Sequence, residues 1–303
     1  MSGIRTDMAL EAHEMAGGQV PGVMTREEEG EGFSASWVTI EEEEAARKLG
    51  RAKGEYITID MPSVGSMLPA EREQLEAAAG RYLVELLGED GGTVLVVGLG
   101  NRDISPDALG PKTCERVFVT RHIKAYLPEA IDSKAATLCA IAPGVLGATG
   151  LETFEVVAGI VERVRPSAVI AVDALCSRST WRIGASIQMS NAGIEPGGGV
   201  GNRRFALNQK TLGCKVIALG MPMVTYASTV ASDLLEQALQ DGGHTQQEEA
   251  ILTRVLCETE ADLIVTPKNI DELIQKGAAL LGSAINLAVN PSIDKEYIRD
   301  LTE

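Results

Sequence analysis

The sequence predicts a single doubly wound α/β domain with an N-terminal extension. Three short, unbroken apolar runs suit strands that are buried on both faces of a parallel sheet, and they lie at residues 94–97, 135–141 and 168–172. A helical segment that stops at Pro166 separates the last two runs, so they form a parallel β-α-β unit with a right-handed crossover. Strands that alternate with helices in this way are typical of a doubly wound sheet.

The composition excludes several classes of protein. The chain has 303 residues, of which 45% are hydrophobic and 23% charged, as is typical of a globular protein. Its formal net charge of −16 disfavours binding to nucleic acid or anionic membranes, because both repel such a surface. We find neither a signal peptide nor an apolar run of the roughly 20 residues that cross a bilayer. Five cysteines without a C-x-x-C pair and three scattered histidines argue against zinc or disulfide frameworks, so we expect a cytoplasmic protein.

Periodicity and turn residues predict the remaining elements. Residues 1–36, with paired glycines and an acidic run, are expected to form an arm outside the core. Helices are predicted at residues 41–53, 69–87, 112–119 and 270–289. A further helix is predicted to begin after Thr149 as its N-cap. Further strands are predicted at residues 56–61, 215–219 and 262–265.

Two aspartates each follow a buried strand. Asp107 lies in the polar loop after the first strand, where Ser105 is a good N-cap and Pro106 a good first helical residue. Asp173 directly follows the third strand. Because catalytic groups collect outside the carboxyl ends of parallel strands, neighbouring strands would bring both carboxyl groups into one crevice. Such a pair shares a proton and can act as general base and general acid; alternatively it holds a divalent metal, or each aspartate only caps a loop.

Polar loops at the same strand ends supply further candidates. The first strand ends in a G-x-G that lacks the third glycine of the dinucleotide-binding fingerprint, because Asp103 stands there. The third strand is followed by a short polar loop that could bind a substrate backbone or could be a solvated turn. A second glycine-rich loop, at residues 193–201, could cradle an anion, cover the site or simply connect two elements. The site-loop candidates are Gly98, Gly100, Asn101, Ser177 and Arg178.

Seven stretches carry a longer pattern along the chain: RTDMALEAHEM, VVGLGN, SPDALGP, APGVLGATGLET, VIAVDAL, GGGVGN and VTPKNIDELI. In this order they resemble the germination protease family of bacterial spores. The family's fold resembles that of the hydrogenase-maturation proteases, so the resemblance implies a three-layer α/β/α sandwich with a mostly parallel central sheet. One departure is the segment MPMVTYAS, in which Tyr226 stands where we expect the family to have an aspartate.

This resemblance implies an aspartic-type endopeptidase that starts the degradation of small acid-soluble spore proteins during germination. The family's two catalytic aspartates fall on SPDALGP and VIAVDAL, which are Asp107 and Asp173 here. It also implies a homotetramer in the cytoplasm of the spore core, without a cofactor, a metal, a membrane or a direct nucleic-acid partner. A metal-binding or non-catalytic relative of the hydrogenase-maturation proteases is the alternative.

The resemblance further implies a zymogen that cuts its own chain. The leader would be residues 1–7, cut between Asp7 and Met8, where an acidic, an apolar and a small residue follow one another as in the spore-protein bond that the family cuts. We expect this segment to be exposed on a long arm that reaches the crevice of its own or a neighbouring subunit; an ordinary frayed terminus is the alternative. The chain then divides into residues 1–7, an arm and helix at 8–54, and one α/β peptidase domain at 55–303.

Overall fold

In a computed structural model, a large sheet with helices on both faces forms the framework of the chain. The structure describes residues 5–88, 91–133, 135–195, 206–231, 233, 263–293 and 297–298. The strands in these ranges are β1 (Val23–Gly30), β2 (Phe33–Ile40), β3 (Gly54–Asp60), β4 (Thr93–Gly98), β5 (Thr137–Ile141), β6 (Ala168–Cys176), β7 (Ser186–Ser190), β8 (Lys215–Tyr226) and β9 (Ile264–Val265). The helices are α1 (Ala9–Met15), α2 (Glu43–Leu49), α3 (Pro69–Leu87), α4 (Leu109–Glu115), α5 (Arg121–Tyr126), α6 (Leu146–Thr149), α7 (Thr153–Val164), α8 (Gln209–Leu212) and α9 (Ile270–Val289).

The sheet is mixed, so the prediction of a mostly parallel sheet is wrong. Its strand order is β1-β2-β3-β7-β8-β6-β4-β5, and β9 pairs with β8. Parallel pairing joins β5, β4, β6 and β8, which contain the three predicted apolar runs and the predicted strand at 215–219. The pairings among β1, β2, β3, β7, β8 and β9 are antiparallel. The parallel strands are buried on both faces, so they appear in the sequence as apolar runs. The antiparallel strands mix apolar with polar or exposed residues, so apolar runs do not identify them.

The N-terminal region contributes two strands where the sequence predicted an arm. Residues 23–40 fold into a hairpin whose register runs from Val23 opposite Ile40 to Gly30 opposite Phe33. The two-residue turn uses Gly32 at a positive φ of 79°, as tight hairpins require. Because β1 is the edge of the sheet and carries the acidic run, its middle residues are exposed on both faces. An exposed strand of this kind lacks the alternation that identifies strands in a sequence.

The two longest helices have the bounds that the sequence predicts, Pro69–Leu87 for α3 and Ile270–Val289 for α9. They pack against each other at Gly80, where an added Cβ would lie 3.3 Å from the Ala284 carbonyl oxygen. Both carry a continuous apolar face, which is why helical periodicity locates them well. The shorter helices α2 and α4 begin within three residues of their predicted starts and end four residues before their predicted ends.

Two predicted helix caps are displaced. Thr149 ends the short helix α6 instead of beginning the next one, and Gly150 follows it in the left-handed conformation. The capping box lies three residues later, with Glu152 as N-cap and the Glu155 carboxylate accepting from the Glu152 amide at 3.0 Å. The Ser105-Pro106-Asp107 segment forms a separate 3-10 turn before α4, and Ile104 occupies its N-cap position.

Helices on opposite faces of the sheet bury three apolar clusters. Ile170 and Val172 of β6 belong to a cluster with α3 and α9, while Val169 and Ala171 face the other side and pack against α7. On that second side, a third cluster joins α1 and α2 to β2 and β3. Because α7 and the α1–α2 pair cover different strands, a crevice remains between them over the middle of the sheet.

We expect Gly110→Ala to destabilise the fold by about 1–3 kcal/mol, because an added Cβ would overlap the carbonyl oxygens of Leu99 and Val172 where α4 crosses the strand ends. The matched control is Gly159→Ala in α7, where nothing lies within 4 Å and a helical alanine is favoured by about 0.5–1 kcal/mol. Urea unfolding of both variants measures the difference. Equal stabilities for the two variants would contradict this close packing.

Candidate active site

Asp107 lies in the loop beyond the end of β4, whereas Asp173 lies inside the adjacent parallel strand β6, three residues before its end. The prediction that Asp173 directly follows its strand is therefore wrong. β4 pairs with β6 up to Gly98 opposite Val172, and the Leu99 amide donates to the Val172 carbonyl at 2.8 Å. Asp173 is the next residue of β6, and Asp107 lies in the loop that leaves β4. The Asp107 carboxylate accepts from the Asn101 amide at 2.7 Å, which fixes that side chain across the turn.

Glycines allow the backbone to close around these carboxylates. Gly100 has a positive φ of 105°, and an added Cβ would overlap the Asp107 carbonyl oxygen. Gly98 lies equally close to Gly110 at the start of α4. Of the glycine-loop candidates, Gly100 lines the cavity described next, Asn101 holds the Asp107 carboxylate, and Gly98 has a packing role.

A cavity of about 1100 Å³ occupies the crevice between α7 and the α1–α2 pair. Asp107 and Asp173 both line it, together with Gly220 of β8 on its floor. Residues of α1, α2 and the first turn of α7 form its walls, among them Ala12, Leu49 and Thr153. The structure therefore places the two sequence-predicted aspartates on the lining of a single open cavity.

The end of the predicted leader lies against the same cavity. Arg5 is exposed as predicted and residues 1–4 lie outside the described residues, but the predicted exposure is wrong for the cleavage site itself. Asp7 lines the cavity and is half-buried, while Met8 is fully buried. The Asp7 amide donates to the Cys176 carbonyl at 2.7 Å, and the Asp7 carboxylate accepts from the Cys176 amide at 2.8 Å. Both contacts attach the segment to the end of β6, three residues beyond Asp173.

Gln188 of β7 holds the same segment from the other side, and sequence reasoning missed it. Its Nε2 donates to the Asp7 carbonyl at 3.1 Å, and its Oε1 accepts from the Ala9 amide at 2.7 Å. Met8 between them has extended backbone angles, φ −86° and ψ 125°. In the sequence, Gln188 is only a polar residue within the short stretch ASIQMS, and no motif includes it.

Glu11 fixes helix α1 to the loop after β6. Its side chain is 1% exposed and pairs with Arg182 at 3.1 Å. It also accepts from the amides of Arg178 at 2.6 Å and Ser179 at 2.9 Å, and from the Thr6 hydroxyl. The loop candidate Arg178 thus binds the N-terminal helix through its backbone, and neither it nor Ser177 lines the cavity. The signal in the sequence was a glutamate within the motif RTDMALEAHEM.

Tyr226, the departure from the family pattern, contacts the N-terminal segment. It ends β8 and is buried, and the Arg5 guanidinium lies over its ring at 5.8 Å from the centroid. A cation over an aromatic face is attracted by the ring's charge distribution. Tyr226 therefore provides a further contact for the residues before Asp7.

The described part of the predicted glycine-rich loop at 193–201 also lines the cavity. Gly193, Ile194 and Glu195 belong to the lining, and residues 196–201 lie outside the described residues. Within the described ranges, no group of three or more histidine, cysteine, aspartate or glutamate side chains is arranged to hold a metal ion. No helix in those ranges combines the length and apolarity needed to cross a membrane.

Burial raises the pKa of the Asp7 carboxyl, and the Glu11 carboxylate adds to this effect. The Cys176 amide and the positive charge of Arg51 act in the opposite direction without cancelling it. The docked carboxyl therefore binds a proton more readily than it would in solvent.

We expect Glu11→Ala to destabilise the protein by about 3–5 kcal/mol, because it removes the most buried anion of the Arg182 cluster and leaves two loop amides without their acceptor. Glu14→Ala on the same helix is the matched control. Glu14 also pairs with Arg182, at 3.5 Å, but its side chain is 53% exposed, so its removal should cost at most about 1 kcal/mol. Chemical unfolding compares the two, and equal losses would contradict the importance of Glu11.

We expect the Asp7 segment to dock more tightly as the pH falls. Because the pKa of Asp7 is raised in the docked state, proton binding stabilises docking. This stabilisation is fully present below the ordinary pKa of 3.8 and is lost as the pH rises through the raised pKa. Hydrogen exchange at the Met8 and Ala9 amides, corrected for intrinsic rates, measures docking. Asp7→Asn, which keeps an acceptor for the Cys176 amide, should flatten the dependence. Equal pH dependence in both chains would contradict the assignment to Asp7.

Comparison with known proteins agrees with the motifs. The family model described as germination protease matches residues 4–259. The chain is 39% identical to a germination protease of Caldanaerobacter subterraneus subsp. tengcongensis, over 99% of this chain and 98% of that one. It is 37% identical to the Clostridium tetani germination protease, with 97% and 98% covered, and 33% identical to that of Bacillus cytotoxicus, with 97% and 95% covered. The chain therefore belongs to the germination protease family.

Proposed function

We propose that this germination protease is an aspartic-type endopeptidase that removes its own residues 1–7 and then starts the degradation of small acid-soluble spore proteins. The observation that carries the proposal is the position of the Asp7–Met8 bond. Asp7, on the carbonyl side of that bond, lines the cavity that Asp107 and Asp173 also line, and the buried Met8 follows it. The carboxyl pair and the carbonyl side of the bond thus border one cavity, which supports intramolecular cleavage.

Hydrolysis by this pair needs one carboxylate and one carboxyl group. The carboxylate accepts a proton from a water molecule, whose oxygen attacks the Asp7 carbonyl carbon while the electron pair of the C=O bond moves to oxygen. When the tetrahedral intermediate collapses, the C–N bond breaks and the second carboxyl gives its proton to the Met8 nitrogen. The products are a carboxylic acid at Asp7 and an amine at Met8.

The protonation state of the site favours this reaction in mild acid. The proposed mechanism needs one of the two carboxyl groups protonated, and acid supplies that proton. The docking of Asp7 also strengthens as the pH falls. Both effects increase the fraction of chains that hold a correctly protonated pair and a docked bond. The family resemblance also supports a wider role, the cleavage of spore proteins in trans. It further supports a location in the cytoplasm of the spore core and assembly as a homotetramer.

We expect Asp107→Asn and Asp173→Asn each to slow self-cleavage by at least about 10²–10⁴-fold, the usual contribution of a general acid or base. Asparagine keeps the shape of the side chain and removes the titrating group. Mass spectrometry after incubation in mild acid should detect a product that begins at Met8 in the wild type and not in either variant. The same variants should fail to cleave a spore-protein substrate.

Asp103→Asn is the matched control, because Asp103 lies in the same loop and does not line the cavity. It should cleave at the wild-type rate, and circular dichroism should show all three variants folded. Near wild-type turnover in either Asp107→Asn or Asp173→Asn would exclude the pair. A strong chelator should leave cleavage unchanged, whereas loss of activity with the chelator would favour the metal-dependent alternative.

A further inference from the structure

Gln188 lies in one row with Asp173 across the middle of the sheet. Asp173 is paired with Gly220 in the parallel β6–β8 ladder, and Gln188 is paired with the same Gly220 in the antiparallel β7–β8 ladder. Residues opposite one another in a ladder project from the same face, so the Gln188 and Asp173 side chains share the face that bears the cavity. Gly220 between them has no side chain and leaves the intervening space open.

The amide of Gln188 spans the bond that we propose is cut. Nε2 donates to the carbonyl oxygen of Asp7, on one side of the bond, and Oε1 accepts from the amide of Ala9, two residues further on. Because the Ala9 amide is a donor, it fixes the orientation of the side chain so that Nε2 must face the Asp7 carbonyl. The glutamine is 8% exposed, so few water molecules compete for these contacts.

This geometry points to a chemical role. The Asp7 carbonyl oxygen is the atom that gains negative charge when water attacks the carbonyl carbon, and a donor already directed at that oxygen stabilises the charge as it develops. The proton remains on Nε2 throughout, because Gln188 supplies a hydrogen bond and exchanges neither protons nor electrons. The carboxyl pair alone transfers protons.

From these contacts we propose that Gln188 is a third catalytic residue, the donor that stabilises the oxyanion of the scissile peptide. The inference rests on the proposed self-cleavage between Asp7 and Met8. Both groups that Gln188 contacts belong to the backbone, so it would bind any extended peptide in the same position, whatever its side chains. It therefore serves substrates in trans as well as the leader.

The test is Gln188→Glu in the full chain. Glutamate has the same shape and keeps an acceptor for the Ala9 amide, but its ionised carboxylate offers no donor to the Asp7 carbonyl. We expect self-cleavage near neutral pH to slow by about 10²–10³-fold, as when an oxyanion donor is removed, while hydrogen exchange at the Ala9 amide stays protected. If Gln188 only held the segment in place, Gln188→Glu would slow cleavage only as far as it reduced the protection of the Ala9 amide from exchange.

Gln188→Met, which has a similar length and no polar atoms, removes both contacts and should lose protection and cleavage together. Cleavage within threefold of the wild-type rate in either folded variant would overturn the role of Gln188 while leaving the proposed function intact. A wild-type chain that never yields a product beginning at Met8 would instead overturn the self-processing and this role with it. Gln209→Glu on the exposed helix α8 controls for the added charge.

Discussion

The docking of the N-terminal segment depends on one buried carboxylate, that of Glu11. An anion with 1% exposure is stable only if it is fully paired, and Glu11 meets this condition with Arg182, two loop amides and the Thr6 hydroxyl. Arg182 also pairs with Asp60 at the end of β3. A single charge cluster therefore joins α1, the loop after β6 and the antiparallel half of the sheet, and it holds in place the helix that directly follows Asp7 and Met8.

Close backbone packing places the carboxyl pair opposite that segment. Asp107 reaches the crevice because α4 crosses the ends of β4 and β6 at Gly110, where a Cβ would overlap two carbonyl oxygens. Gly100 then turns the chain so that the Asp107 carboxylate accepts from the Asn101 amide. Since interiors of this density do not deform gradually, a change at these glycines alters the position of the aspartate and not merely its surroundings.

The sequence predicts those parts of the fold whose burial is periodic. Helix α3 buries one face, and β4 is buried along most of its length, so period and apolarity identify both. The hairpin strand β1 is exposed and glutamate-rich, and β7 is buried despite carrying Gln188, so neither resembles a core strand. In the site, the strand-end rule locates Asp107 after β4, but Asp173 lies inside β6 and not after it. Docking of the Asp7 segment does not, because it depends on the distant partners Cys176 and Gln188.

The mixed sheet explains how these groups come to face one another. Its parallel half directs the carboxyl ends of β4 and β6 to one edge, which supplies acid groups at strand tips but no donor from a strand centre. Its antiparallel half carries β7 past the same edge in the opposite direction, so that Gln188 lies level with Asp173 on the far side of Gly220. The junction at β8 therefore places Asp173 on one side of Gly220 and the amide donor of Gln188 on the other.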